Sequence, residues 1–169
     1  MREINCRGEQ IFHSMQLEER WRKRQQRFIK MCRLMYAIVL HWQEQDRGRD
    51  IFKNRNIPII TDDRLVEMSF GIYEGTEQSA RALDCPINIL FKEPEKYKAV
   101  EGGESIEKLF ERTGDFLRNV VEPQLEDGKN IVIIGHGAMN SGIICQVRGL
   151  STEHFWDAGI NQCELLQLK

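Results

Sequence analysis

The stretch from Asn130 to Cys145 constrains the fold of this chain more than any other part of the sequence. It begins with the apolar run Ile131–Ile134, in which every residue is β-branched, and this composition and length favour a buried strand. A glycine then stands on each side of His136. From Ala138 onward the apolar residues follow the spacing of a helix. The sequence therefore predicts a strand, a tight glycine turn and a helix in direct succession.

The predicted helix carries its apolar face on four residues: Ile143, Ile144, Val147 and Leu150. His136 would then lie between the carboxyl end of a buried strand and the N-terminus of a helix. Ligands of open α/β sheets bind at such an edge, where unpaired backbone N–H groups attract anions. The flanking glycines would let a ligand approach closely. His136 is therefore a candidate anion-binding residue, and the alternative is a loop histidine satisfied by local hydrogen bonds.

Composition restricts the class of protein. The 169 residues suffice for one domain with a full core. A net charge of -2 argues against strong affinity of the whole molecule for nucleic acid or membranes. No apolar run reaches the roughly 18 residues of a membrane helix, and the first residues lack the apolar segment of a signal peptide. The five cysteines are odd in number and form no CxxC pair, so neither a disulfide framework nor a zinc site is indicated and a reducing, cytoplasmic setting fits best. We expect no cofactor and no metal.

The remaining periodicity predicts helices and strands along the whole chain. Ser105 is the predicted N-cap of an amphipathic helix, and Pro58 marks an edge strand because proline cannot donate to a central ladder. The predicted elements are a basic helix at 16–35, strands at 36–40, 57–60 and 162–168, and short helical pieces within 76–101. The basic helix is interpreted as a solvated surface, with nucleic-acid binding as its less favoured alternative.

Glu67 is the second candidate functional residue. It lies in a loop-rich segment, residues 61–75, between the apolar residues Val66 and Met68. Burial there would raise the pKa of its carboxyl group and suit it to proton donation. The alternative is an exposed loop carboxylate, because charged side chains are mostly exposed.

Three sequence motifs together resemble a known family. They are Leu65–Gly75, Gly102–Ser105 and Ile133–Ala138, and in order and spacing they are similar to the histidine phosphatase superfamily, also called phosphoglycerate mutase-like. The resemblance covers roughly residues 51–169. It implies an α/β fold, with a three-layer α/β/α sandwich and a mostly parallel sheet. We interpret residues 1–169 as a single domain of this kind, in which residues 1–50 are atypical.

The resemblance also implies a reaction. A phosphoryl group would pass to a histidine and then to water or back to a substrate hydroxyl, so the expected partner is a phosphorylated small molecule. His136 matches the second histidine, which binds the phosphoryl oxygens, and Gly137 and Ala138 follow it as phosphate-binding positions. Glu67 matches the carboxylate that protonates the leaving oxygen. Such a transfer needs donors where negative charge develops and a proton for the departing alkoxide.

The nucleophile that the resemblance requires is missing from the sequence. The family carries it in an Arg-His-Gly-Glu motif, and the most similar segment of this sequence is Arg7-Gly8-Glu9. Arg7 would match a phosphate-binding arginine, but arginine stays protonated and cannot be the nucleophile. His13 and His41 lack the strand, turn and helix context of His136. The sequence therefore predicts impaired phosphoryl transfer, with a non-catalytic phosphate-binding module as the first alternative and a nucleic-acid-binding protein as the second.

The genetic code suggests a reason for this gap. The family has a Tyr-Ser-Ser-Pro-Leu-x-Arg type of segment downstream of its nucleophile. Codons permitted for residues 37–45, when read two bases out of frame, can spell Tyr-Ser-Ser-Pro-Leu-Ala-Arg-Thr-Arg, and residues 48–51 shifted by one base can spell Ala-Glu-Ile. We therefore hypothesise that part of the first fifty residues is a frameshifted translation of an ordinary family member. The basic helix would then carry no binding function.

Overall fold

The computed structural model describes five parts of the chain: residues 35–39, 58–75, 84–157, 160 and 165–168. The predicted basic helix up to residue 34 and the candidate residues Arg7, His13 and His41 lie outside them. The regular elements are β1 (Met35–Val39), β2 (Ile59–Ile60), α1 (Asn88–Lys92), α2 (Ile106–Phe116), α3 (Glu122–Glu126), β3 (Asn130–Ile134) and α4 (Gly137–Arg148).

The three described strands form a parallel sheet in the order β2-β1-β3. Ala37 of β1 pairs with Ile59, and Val39 pairs with Ile134. The strands predicted at 36–40, 57–60 and 131–134 are confirmed over residues 36–39, 59–60 and 131–134, while Leu40 and Ile57 lie outside the described ranges. The helix prediction at 16–35 is wrong at its last residue, because Met35 pairs with Asn130 and begins β1. In a parallel sheet the carboxyl ends of neighbouring strands lie at one edge, so β1 and β3 both end beside the turn that holds His136.

Helix α2 begins as the sequence predicts. The Ser105 side chain accepts a hydrogen bond from the Lys108 backbone N–H at 3.3 Å and caps the helix. A π-helical turn at Leu117–Val121 then joins α2 to α3. This wide turn ends two residues before Pro123, which has no N–H to donate to the preceding turn. The proline thus explains the local change in helical pitch.

Helix α4 packs on α2, and the burial of its residues matches the prediction only in part. Ile143 and Ile144 are buried as expected, but Val147 is 42% exposed, so the prediction of a core role for Val147 is wrong. Every residue from Ser141 to Cys145 is buried, so this part of the helix is enclosed on all sides, whereas Val147 and Arg148 in its last turn are exposed. Gly149 ends the helix in a left-handed conformation with φ 64°.

The α/β class is confirmed by these elements, while the three-layer arrangement and the single domain stay predictions. Short helical pieces were expected within 76–101, and α1 and the 3-10 turn Pro94–Lys96 are two of them. Of the predicted terminal strand at 162–168, residues 165–168 adopt no regular secondary structure, and 162–164 lie outside the described ranges. No helix among the described residues is long and apolar enough to span a membrane.

Candidate active site

The turn between β3 and α4 presents His136 at the edge of the sheet. His136 is the N-cap residue of α4, with extended backbone angles and a half-buried side chain. A Cβ atom on Gly135 would lie 1.8 Å from Cε of Met139, so any larger residue would force this fully buried side chain to move. Within the described ranges, no group forms a hydrogen bond with the His136 imidazole. The ring therefore has hydrogen-bonding capacity for a ligand at this edge.

The Glu67 carboxylate lies against the first turn of α4. Its Oε2 accepts a hydrogen bond from the Ala138 backbone N–H at 3.3 Å, and its Oε1 accepts one from the Met139 N–H at 3.0 Å. The Asn140 N–H is the first to bond within the helix, to the His136 carbonyl at 2.9 Å. Because the first N–H groups of a helix have no intrahelical partner, Glu67 supplies the acceptors that the His136 side chain does not.

The loop that carries Glu67 is held against a second loop by backbone pairing. Phe70 and Gly103 form an antiparallel bridge. The Glu104 N–H donates to the Ser69 carbonyl at 2.9 Å, so the pairing begins two residues after Glu67. The first two motifs of the resemblance, Leu65–Gly75 and Gly102–Ser105, are therefore packed directly on each other.

Gly71 allows this close approach. Its φ is +55°, and a Cβ atom at this position would lie 2.1 Å from the carbonyl oxygen of Glu101. Glu74 closes the same loop from within, since its Oε1 accepts hydrogen bonds from the Ser69 hydroxyl at 2.8 Å and the Phe70 N–H at 2.9 Å. Both residues of the motif thus have a structural reason for their identity.

Ion pairs between Arg64 and two aspartates fix the stretch before Glu67. Arg64 donates to both carboxylate oxygens of Asp62, at 2.8 and 2.6 Å, and to Oδ2 of Asp115 on α2 at 2.6 Å. The guanidinium also lies 5.5 Å from the centroid of the Phe116 ring. The hydrogen bonds from Arg64 lower the pKa of the Asp62 carboxyl group. This ion pair therefore anchors the start of the Glu67 loop to α2.

The structure brings together four of the five predicted site residues. Glu67 contacts the residues that directly follow His136, and its Oε2 lies 3.8 Å from the position of a Cβ atom on Gly137. The Ala138 N–H is donated to Glu67 and is not free for a phosphate oxygen in this arrangement. Arg7 lies outside the described residues. No group of three or more histidine, cysteine or acidic side chains in the described ranges is arranged to hold a metal ion.

The sequence did not reveal two further residues of this region, Glu104 and Arg112. Glu104 stands in the Gly102–Ser105 motif, but its partner Arg112 is eight positions away, on a helix that begins only after the motif. Two residues eight positions apart leave no recognisable sequence pattern, because their pairing depends on how α2 lies over the loop. The glycine-rich motif was the one available signal.

Comparison of the chain with known proteins identifies its family. A family model described as histidine phosphatase superfamily (branch 1) matches residues 45–169. The chain belongs to this superfamily. Sequence relatives include a 2,3-bisphosphoglycerate-dependent phosphoglycerate mutase of Cytophaga hutchinsonii, 29% identical over 98 residues, and phosphoserine phosphatase 1 of Hydrogenobacter thermophilus, 24% identical over 112 residues.

These matches cover unequal shares of the proteins compared. They take in 57% and 65% of this chain, but the chain spans only 46% and 52% of the two relatives, which is about half their length. The solved structure of Bacillus stearothermophilus YhfR matches this chain with a TM-score of 0.69 at 20% sequence identity. The match covers 80% of this chain and 67% of the YhfR chain. The structural match shows the histidine phosphatase fold, and the resemblance inferred from the three motifs is confirmed.

Proposed function

We propose that this member of the histidine phosphatase superfamily transfers phosphoryl groups from small phosphate esters at the start of α4. The observation that carries the proposal is the contact between the Glu67 carboxylate and the turn that begins at His136. A candidate proton donor and a candidate phosphate-binding imidazole thus share one edge of a parallel sheet. Ligands of α/β proteins bind at such an edge.

In the proposed reaction His136 donates a hydrogen bond to the phosphoryl oxygens as negative charge develops on them. A fixed donor at that place stabilises the transition state more than the ground state. The turn supports this role, because His136 lies two residues after the end of β3 and the Met139 side chain packs closely over Gly135. Gly137 and Ala138 are the proposed neighbours of the bound phosphoryl group, with Arg7 as a further ligand for it.

Glu67 is the proposed donor of a proton to the leaving oxygen. An alkoxide is a poor leaving group, so protonation in the transition state accelerates its departure by about 10² to 10⁴. The hydrogen bonds from Ala138 and Met139 hold the carboxyl group beside the His136 turn. Glu67 would therefore have to leave these N–H groups, or share them, when a phosphoryl group is bound.

Turnover by this chain is proposed to be low. The 169 residues contain no Arg-His-Gly-Glu motif, so the sequence offers no nucleophilic histidine in the family's context. A non-catalytic module that binds phosphate at His136 is the second candidate function, and it uses the same edge of the sheet.

The proposed substrate class is phosphorylated small molecules. It is supported by the names of the relatives, one a phosphoglycerate mutase and the other a phosphoserine phosphatase. Hydrolysis and transfer back to a substrate hydroxyl both stay within the proposal, as do the three-layer sandwich, the single domain and a cytoplasmic setting.

Phosphate release from p-nitrophenyl phosphate and from phosphoserine tests the proposal. We expect slow release by the unsubstituted chain and none by His136→Ala, because the substitution removes the donor to the phosphoryl oxygens. His154→Ala is the matched control, since His154 is an exposed histidine in a surface 3-10 turn. Equal rates for the chain and His136→Ala would contradict the role of His136. Phosphate binding without any release would favour the non-catalytic module.

A further inference from the structure

A second layer of contacts holds Glu67 in place from α2. The guanidinium of Arg112 donates from Nε and Nη2 to the two carboxylate oxygens of Glu104, at 2.7 and 2.8 Å. Its third nitrogen, Nη1, donates to the backbone carbonyl of Arg64. The side chains of Arg112 and Glu104 are only 18% and 16% exposed, so this pair is largely shielded from water. One side chain thus bonds a carboxylate and a main-chain oxygen from two separate loops.

The two groups that Arg112 joins lie on either side of Glu67 along the chain. Arg64 comes three residues before it. Glu104, through its own backbone N–H, donates to the carbonyl of Ser69, two residues after it. The segment that carries Glu67 is therefore held at both ends by groups that Arg112 contacts. Rotation of this segment away from α4 would break at least one of these hydrogen bonds.

The residue next to Arg112 fixes the other half of the site. Thr113 is fully buried, and its hydroxyl accepts a hydrogen bond from Nε2 of Gln146 on α4 at 2.7 Å. The same hydroxyl donates to the Leu109 carbonyl at 2.6 Å. Consecutive residues of α2 thus hold the Glu67 loop on one side and the helix that begins at His136 on the other.

We propose that Arg112, with Glu104, is a positioning residue that sets the Glu67 carboxylate against the first turn of α4. The three acceptors lie in different directions, and the planar guanidinium can serve them simultaneously, whereas a lysine ammonium is a single point of charge. The significance of this position for proton donation rests on the proposed function. The position itself is a property of the folded chain and can be measured without turnover.

Amide hydrogen exchange at Ala138 and Met139, followed by NMR, tests this proposal. Within the described ranges, these N–H groups bond only to Glu67, so their protection reports where the carboxylate lies. The neighbouring Asn140 N–H bonds within α4 and serves as an internal reference. Glu67→Ala gives the exchange rates expected when the carboxylate is absent.

We expect Arg112→Met and Glu104→Gln to accelerate exchange at Ala138 and Met139 by about tenfold or more, while Asn140 is unchanged. In Arg112→Lys the exchange rates at Ala138 and Met139 should lie between those of these two variants and those of the unsubstituted chain. Arg118→Met is the matched control, because Arg118 is an exposed arginine on the adjoining π-helical turn. If Arg112→Met does not fold, Glu104→Gln, a neutral substitution of the same size, decides the question.

Two results would overturn the proposal. One is unchanged exchange at Ala138 and Met139 in Glu104→Gln and Arg112→Lys. The other is an equal acceleration at Asn140 and the later amides of α4, which would show a general loss of stability. Absence of phosphate release by every variant would contradict the proposed function and would leave the amide measurement to decide the positioning role.

Discussion

Oε1 of Glu67 accepts a hydrogen bond from the backbone N–H of Met139 at 3.0 Å, although the two residues are 72 positions apart. This contact gives one side chain two roles. Glu67 supplies the missing acceptor at the N-terminus of α4, and it is also the candidate proton donor beside His136. The structural role and the proposed chemical role can be separated by experiment, because only the first affects the free energy of unfolding.

Glu67→Ala should lower the free energy of unfolding by about 1 to 2 kcal/mol, because two N–H groups at the start of α4 lose their acceptor. Glu67→Gln should have a smaller effect, since one amide oxygen still accepts. Urea denaturation measures both values. Glu111→Ala, at an exposed position of α2, is the control. Equal stability of the Glu67→Ala and Glu111→Ala variants would show that the cap contributes nothing.

Gly71→Ala should destabilise the chain far more than Gly75→Ala. Both glycines have positive φ, which costs an alanine about 1 kcal/mol. At Gly71 the new Cβ would also lie 2.1 Å from the Glu101 carbonyl oxygen, whereas at Gly75 nothing lies within 4 Å. We therefore expect a loss of roughly 3 kcal/mol or more at Gly71. Thermal denaturation of the two variants measures the difference, and equal melting temperatures would contradict the packing of the two loops.

The stability contributed by Asp62 should depend on pH. Because Arg64 lowers the folded-state pKa of Asp62, this contribution is complete above the unfolded value of about 3.9 and is lost as the pH falls through the lowered value. Asp62→Asn keeps an acceptor for the Arg64 N–H but removes the charge. This substitution should lower the free energy of unfolding by about 1 kcal/mol at neutral pH and by progressively less as the pH falls.

Urea denaturation at several pH values measures the Asp62→Asn difference, and Asp63→Asn at the exposed neighbouring position is its control. A difference that stays constant from neutral to acid pH would exclude the ion pair as its source.

Periodicity and turn chemistry predicted the local elements well. The β-branched run identified β3, and Ser105 identified the start of α2, because both depend on residues close in sequence. Val147 was assigned to the core and is exposed. Its spacing from Ile143 fitted a helical face, but only the part of α4 up to Cys145 is enclosed, and Val147 lies in the exposed last turn.

The long-range parts of the site could not be predicted in the same way. The position of Glu67 beside Met139 depends on a contact between distant segments, and the pairing of Arg112 with Glu104 depends on how α2 lies over a loop. Neither leaves a periodic signal. The resemblance to the family placed Glu67 and His136 together, whereas the residues alone gave two separate candidates.

The frameshift hypothesis makes a prediction about the encoding DNA. We expect a shifted reading frame over residues 37–45 to spell the family's Tyr-Ser-Ser-Pro-Leu segment, and a frame further upstream to contain an Arg-His-Gly-Glu motif. DNA sequencing of the region decides it. If no frame encodes the segment, the divergence of residues 1–50 needs another explanation.

The most direct test of the proposed anion site is a titration with inorganic phosphate, followed by the NMR signals of the His136 imidazole and of the Gly137 and Ala138 amides. We predict that phosphate shifts these signals in the unsubstituted chain, that His136→Ala weakens phosphate binding at least about tenfold, and that His154→Ala leaves it unchanged. Phosphate binding of equal strength in His136→Ala, or signals at the start of α4 that do not respond to phosphate, would contradict a phosphoryl-transfer site at this turn.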